Sequence, residues 1–342
     1  MDQQEIEEQL DKLLVQSESD IETVFANRLK TILQQISVMF KKYGNGGDPS
    51  WTDINKYNRF QKEMKVIAKE LSKDYQQLVK EISKTQQTQY IEKYLMTAYL
   101  LQQTAGEDIN MGFTIPSTEV VKEVIANPIE FLGLPSILEQ HRNDIIRRLN
   151  IEIAQSFQAG EGYAVMAQRI EKAMGFSRKK AILVVRTESG RVRSIADEKV
   201  AEQASKYAKM DKIWLSSLDL RVRSSHRVLD GKKADNDGYF HYKSLKTKAP
   251  RLWAGSNSAS MNINCRCSVL HVINGMLPEY RRGRNYMDPD YQKKLADRIE
   301  KYMADESMTY KQALKKAQKE LQPPSATFEY VTYNEWKEKL AG

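Results

Sequence analysis

The chain has 342 residues, 41% of them hydrophobic and 29% charged, with 16 Gly and 9 Pro. That composition excludes wholesale disorder and fibrous or low-complexity sequence, and at roughly 100–200 residues per domain the length implies two or three folded units. The net charge of +8 is unevenly placed, since residues 1–40 hold eight acids against three bases and residues 178–251 hold nineteen bases against nine acids. One end therefore repels polyanions while the later part attracts them.

Residues 1–40 predict one amphipathic helix, because Ile6, Leu10, Leu13, Leu14, Ile21, Val24, Phe25, Ile32, Leu33 and Ile36 recur at three- and four-residue steps. A Gly/Asn/Asp/Pro cluster at 43–49 stops it, and Ser50 with Asp53 reads as the N-cap and acidic first turn of the next helix. Helical spacing from Ile54 through Leu95 carries that helix toward Gly106, so two long antiparallel helices are expected. A break at 112–116 precedes a short helix over 118–126, and a second break runs through Pro128, Gly133 and Pro135. Further helices are predicted over 136–159, 163–174 and 178–209, the last capped by Ser177.

The texture changes near Lys212. The runs Lys-Ile-Trp-Leu-Ser-Ser-Leu and Cys-Arg-Cys-Ser-Val-Leu-His-Val-Ile are short and rich in β-branched and aromatic residues. They predict two strands of a small sheet. Some forty irregular residues lie between them, and connections of that length are generally functional or stapled. Residues 289–321 predict one polar helix, after which Pro323-Pro324 leads into a short tail.

No run approaches the roughly 18 uncharged apolar residues of a membrane-spanning helix, and the acidic start lacks the regions of a secretory signal. A soluble protein made in a reducing cytoplasm is expected. Cys265 and Cys267 are the only cysteines, so a disulfide framework is excluded.

Two clusters can carry chemistry. On a strand, Cys265 and Cys267 point the same way and offer half of a tetrahedral zinc site. His226 in the preceding loop is the best third ligand, and His241 or a carboxylate the fourth. His271 lies four residues, roughly 13 Å, further along the strand. The competing reading has two reduced thiols filling core volume while His226 makes an ordinary hydrogen bond. In the second cluster, Arg221, Arg223 and Arg227 can clamp phosphates while Trp214, Tyr239, Tyr242 and Trp253 stack on bases. Alternatively these arginines pair with Asp219, Asp230 and Glu188 and tie the loop to the helices. Nucleotide-binding loops, the nucleophile elbow and the His-Glu-x-x-His metalloprotease motif are absent. A metal-dependent nuclease using His226, with Asp230 and Asn264, is the enzymatic alternative.

The ordered set Val185-Arg186-Thr187-Glu188, then Trp214 through Gly231 with Asp219, Arg223, His226 and Asp230, then Phe240, Pro250 and Asn264-Cys265-Arg266-Cys267, resembles the Mu F-like phage head morphogenesis domain of minor head proteins. It spans residues 140–272. The resemblance implies a non-enzymatic virion protein at the portal vertex or capsid interior, assembled in the host cytoplasm. Its role would lie in head assembly, DNA packaging or genome ejection. The implied partners are the portal protein, other head proteins and packaged DNA held by nonspecific electrostatics, with no small-molecule substrate. The family signature falls on Arg186, Glu188, Trp214, Asp219, Arg223, His226, Asp230, Gly231, Asn264, Cys265 and Cys267. Their implied role is to hold the loop together around one structural zinc ion. The expected fold is α+β: a helical region over 1–130 for docking, a Mu F-like domain with a small antiparallel sheet over 135–275, and a C-terminal helix and tail over 276–342.

Overall fold

The computed structural model describes residues 3–44, 48–105, 109–126, 134–273, 275, 277–305 and 307–341. The breaks placed at 45–47, Gly106, Pro128 and Gly133 lie outside them. The first helix, α1 (Gln3–Tyr43), buries Ile6, Leu10, Ile21, Phe25, Ile32, Ile36 and Met39 along one stripe, while Leu13 faces outward. Ser50 caps α2 (Trp51–Asn55) through a capping box, its hydroxyl accepting from the Asp53 N–H at 3.3 Å while Asp53 accepts the Ser50 N–H at 3.2 Å. A kink at Tyr57 (φ 57°) separates α2 from α3 (Arg59–Ala105). Helices α1 and α3 run antiparallel: Arg28 meets Asp74, Ser17 meets Thr85, Leu10 meets Gln89 and Glu7 meets Lys93.

The short helix α4 (Thr118–Ala126) packs Val121 against Tyr90, Val192 and Ala196. Next, α5 (Leu134–Gln158) buries Leu138, Ile145, Leu149, Ile153 and Phe157. The two helices expected over 163–174 and 178–209 are one, α6 (Tyr163–Ala204). Gly175 does not break it, because a glycine inside a helix costs only about 1 kcal/mol against alanine. Packing of Ala173, Met174, Ala181 and Val185 into the shared core offsets that cost, and Ser177 is a buried helical residue there, not a cap. One continuous apolar core joins α1, α2, α3, α5 and the first half of α6.

Beyond α6 the chain forms β1 (Met210–Leu215), then the short helix α7 (Ser224–Arg227), the hairpin β2 (Phe240–Tyr242) and β3 (Leu245–Thr247), and the short helix α8 (Ala259–Asn262). It returns as β4 (Ser268–Ile273), antiparallel to β1 with Trp214 opposite Val269. The expected strand pair is present, but β4 starts after the cysteines, so Cys265 and Cys267 lie on the segment entering the strand. The long connection is stapled by its own elements and by a core of Trp214, Leu229, Phe240, Trp253, Cys265 and Cys267.

The final region holds more structure than one helix and a tail. Strand β5 (Tyr280–Arg284) pairs antiparallel with β6 (Ser325–Glu329), and between them lie α9 (Pro289–Asp305) and α10 (Tyr310–Glu320). The chain ends in α11 (Tyr333–Ala341), whose Tyr333 and Trp336 share a core with Leu218 and Val222 of the loop after β1. Gly283 lets β5 lie against the same loop, since a Cβ there would lie 2.6 Å from the Leu218 side chain.

Candidate functional site

The loop from Ser216 to Gly231 is held by polar contacts at both ends. Asp230 accepts the Ser216 N–H at 2.7 Å, and the Gly231 N–H, at φ 73°, donates to Trp214 O at 2.9 Å. The Asp230 carboxylate also accepts from both terminal nitrogens of Arg281, at 2.7 and 3.0 Å, and from the Tyr333 N–H at 2.6 Å. Asp219 is fully buried and takes the Arg221 N–H at 2.8 Å, the Tyr286 hydroxyl at 2.7 Å and the Arg266 guanidinium. Burial alone would raise its pKa, but Arg266 and these hydrogen bonds outweigh it and hold the carboxyl at about 2. Arg281, Tyr286 and Tyr333 belong to the C-terminal region, which therefore closes the loop.

Helix α7 carries His226 inward, 1% exposed, against the edge of Trp214 with ring centroids 5.7 Å apart. Its main-chain carbonyl is fixed by the Ser216 hydroxyl at 2.8 Å. The ring turns Nδ1 toward the cysteines, 3.4 Å from the Cys265 Sγ and 3.3 Å from the Cys267 Sγ. The three donor atoms lie within 4.8 Å of one another, and all three residues are buried. With Zn–S near 2.3 Å and Zn–N near 2.05 Å, a tetrahedral edge between sulfur and nitrogen is about 3.5 Å, so the spacing fits one zinc ion within a few tenths of an ångström. Burial pushes both thiols up. Hydrogen bonds with Cys267 and His226 and the nearby Arg251 charge bring Cys265 well below its ordinary value, and Cys267 is driven above its own by burial and by Cys265. A divalent cation at this spacing would stabilise both thiolates.

The other residues singled out from sequence fall in different places. His241 is exposed, with Nε2 2.5 Å from Asp235 Oδ2, and is not brought to the thiols. His271 is buried in β4 with neither ring nitrogen partnered among the described residues, and burial holds its pKa at about 3. The grouping of His226 with Asp230 and Asn264 does not form a base and metal pair, because Asp230 is committed to Arg281. Asn264 sits at φ 52° with its N–H on Thr187 Oγ1 at 3.0 Å.

The arginine trio divides. Arg227 donates to the Val222 and Leu220 carbonyls, both at 2.7 Å, and lies over the Tyr333 ring, so its guanidinium ties the loop internally. Arg223 donates to Ile263 O, and Arg221 stands 3.5 Å from Asp219. Trp214 and Trp253 are fully buried against each other and cannot stack on bases. On the helices, Arg186 pairs with Glu18 at 2.5 Å, and Glu188 with Arg191 at 2.8 Å and Gln86 at 3.1 Å, tying α6 to α1 and α3.

Sequence reasoning missed Arg251, Arg266 and Arg281. Arg251 donates to Cys265 O at 2.8 Å and Ser194 Oγ at 3.2 Å, crossing α6 at Gly190, where a Cβ would meet its side chain at 2.6 Å. Its position beside Pro250 within the motif was a usable signal, and Arg266 stands between the two cysteines. Arg281 lies beyond the motif and carries no local signal.

Fold and site together define an α+β protein in which a long-helix bundle supports a small lobe closed by buried ion pairs and a Cys–Cys–His cluster. Residues 147–270 match the family described as Phage Mu protein F like protein. Minor head protein GP7 of Bacillus phage SPP1 is 40% identical over 282 residues, covering 82% of this chain and 90% of GP7. The NAD(+)–arginine ADP-ribosyltransferase EFV of Enterococcus faecalis (strain ATCC 700802 / V583) is 28% identical over 206 residues, covering 59% of this chain and 41% of that protein. No solved structure matches. The chain belongs to the Mu F-like family of phage minor head proteins.

Proposed function

We propose that this minor head protein works without catalysis, as a portal-associated component of the virion that acts in head morphogenesis, DNA packaging or genome ejection. The observation that carries the reading is the similarity to GP7 along most of both chains, over a length more than twice that of the Mu F-like segment. The ADP-ribosyltransferase relative shares only two fifths of its own length with this chain, so its enzymatic name extends to residues that have no counterpart in the match. The site supports a tying role, because Asp219, Asp230 and Arg227 all bond within the protein itself.

In this reading the long helices dock on the portal or other head proteins, and the lobe stays near packaged DNA through nonspecific electrostatics. Such contact would weaken with salt by about 0.9 in log–log slope per phosphate neutralised. Cys265, Cys267 and His226 hold one structural zinc ion. Co-purification with tagged portal protein from assembling heads tests the docking, and failure to recover the portal would reject it. Incubating the protein with plasmid and zinc, magnesium or manganese tests the absence of nuclease chemistry. Cleavage that disappears in His226→Ala would overturn the non-enzymatic reading.

A further inference from the structure

The Cys265–Cys267–His226 cluster supplies three donors, and no fourth His, Cys, Asp or Glu joins it among the described residues. A zinc ion held by three protein ligands keeps a position for an exchangeable one. All three residues line a cleft of about 830 Å³ that is also lined by Arg193 and Arg251.

These two arginines are unusual. Arg193 is 6% exposed and Arg251 9%, yet Arg193 Nη2 and Arg251 Nε have no hydrogen-bond partner among the described residues. Buried N–H donors are nearly always satisfied, so two orphans on one cleft mark a place for an acceptor. Charge points the same way. The hydrogen bonds of Arg251 go to the neutral acceptors Cys265 O and Ser194 Oγ. The carboxylate that interacts with it, Glu7, also faces Lys93 at 2.7 Å and Arg193 at 3.4 Å, which have Asp197 and Asp11 as further partners at 3.2 and 2.9 Å. Metal-bound thiolates of Cys265 and Cys267 would be the other anions near Arg251, and the divalent cation would neutralise both. The cleft wall as a whole is cationic, with Lys12 and nine arginines against Glu7, Glu8, Asp11 and Glu18, so it would attract an anion to the metal's remaining position.

We infer that the fourth position of a zinc ion held by Cys265, Cys267 and His226 is filled from the cleft by an oxyanion of the phosphate class, with Arg193 and Arg251 as its hydrogen-bond donors. This rests on the zinc reading above. Metal–oxygen contact and N–H donors from two separate guanidiniums together suit a phosphate better than a halide or a neutral ligand. The phosphate can be free or the terminal group of a nucleic-acid strand.

The test loads the full-length protein with cobalt(II) and follows the visible absorption of the metal while inorganic phosphate is added. In a second arm a short oligonucleotide with a 5′-phosphate is compared with its unphosphorylated form. A saturable change of the cobalt spectrum with inorganic phosphate supports the inference. A response to the phosphorylated strand but not to its unphosphorylated form, at concentrations where free phosphate is silent, supports it with a strand end as the source. Arg251→Lys and, separately, Arg193→Lys should weaken the phosphate response by about tenfold while one equivalent of metal is retained, since lysine keeps the charge but loses the planar, pre-oriented N–H donors. One equivalent of cobalt with a spectrum indifferent to both additions would overturn the inference and leave the metal site standing. Failure of the wild-type protein to bind cobalt or zinc would overturn both.

Discussion

The bundle and the C-terminal lobe are built from different material. In the bundle, Ile32, Ile82, Leu149, Ile153 and Ile170 are fully buried along stripes that repeat every three or four residues, so each helix is fixed by many interchangeable apolar contacts. In the lobe, Asp219, Asp230, Arg281 and His226 are buried alongside Trp214 and Cys267. There the chain is held by a few contacts that cannot be exchanged. A core of the first kind tolerates substitution by degrees, whereas a network of the second kind fails when one partner is lost.

That contrast can be broken most forcefully at Asp230. Replacing it with alanine leaves Arg281, whose side chain is 3% exposed, without its bidentate carboxylate. Loss of one partner of a buried pair costs about 3–5 kcal/mol, and denaturant unfolding read through tryptophan fluorescence should show it in the lobe, which holds Trp214, Trp253 and Trp336. Leu149→Ala in the bundle should cost about 2–5 kcal/mol by leaving a cavity, and should shift helical circular dichroism together with the global midpoint.

Acid sharpens the comparison at a third site. His271 is neutral when folded, because burial holds its pKa at about 3, and it regains an ordinary value when unfolded. Its contribution is fully present above the unfolded pKa and declines as pH falls from about 6.5 toward 3, by about 1.4 kcal/mol for each unit. Asp219, depressed to about 2, protects the fold until pH falls below the ordinary carboxylate range. His271→Leu should therefore flatten the stability–pH profile between pH 6 and 4, read as urea midpoints, and leave any loss below pH 4 in place. The smallest effect belongs to Arg186→Ala. Its pair with Glu18 is half exposed, so the change should cost no more than about 1 kcal/mol, and raised salt should shrink it further.

The same contrast explains what the sequence could be made to say. Helices α1, α3 and α5 were legible because a buried stripe imposes a period on the residues themselves. The expected boundary between 174 and 178, with Ser177 as a cap, is overridden by the packing of Ala173 and Ala181 into the shared core. The lobe was legible only as an ordered motif, because ion pairs leave no periodic trace. Asp230 and His226 could be singled out as residues, but the partner of Asp230 is Arg281, 51 positions away, and nothing beside Arg281 announces that contact. The tail read as a polar appendage because the apolar groups of α11 are few, and only docking against Leu218 and Val222 reveals that Tyr333 and Trp336 close the core.

Hydrogen exchange on the intact protein, before and after removal of metal by a chelator, tests the central claim most directly. About one equivalent of zinc is expected in protein purified without chelator. On its removal, protection should be lost from β1, α7 and β4 together with β5 and α11, while α1, α3 and α5 exchange as before. Unchanged protection in the lobe, or equal loss in the bundle, would contradict it.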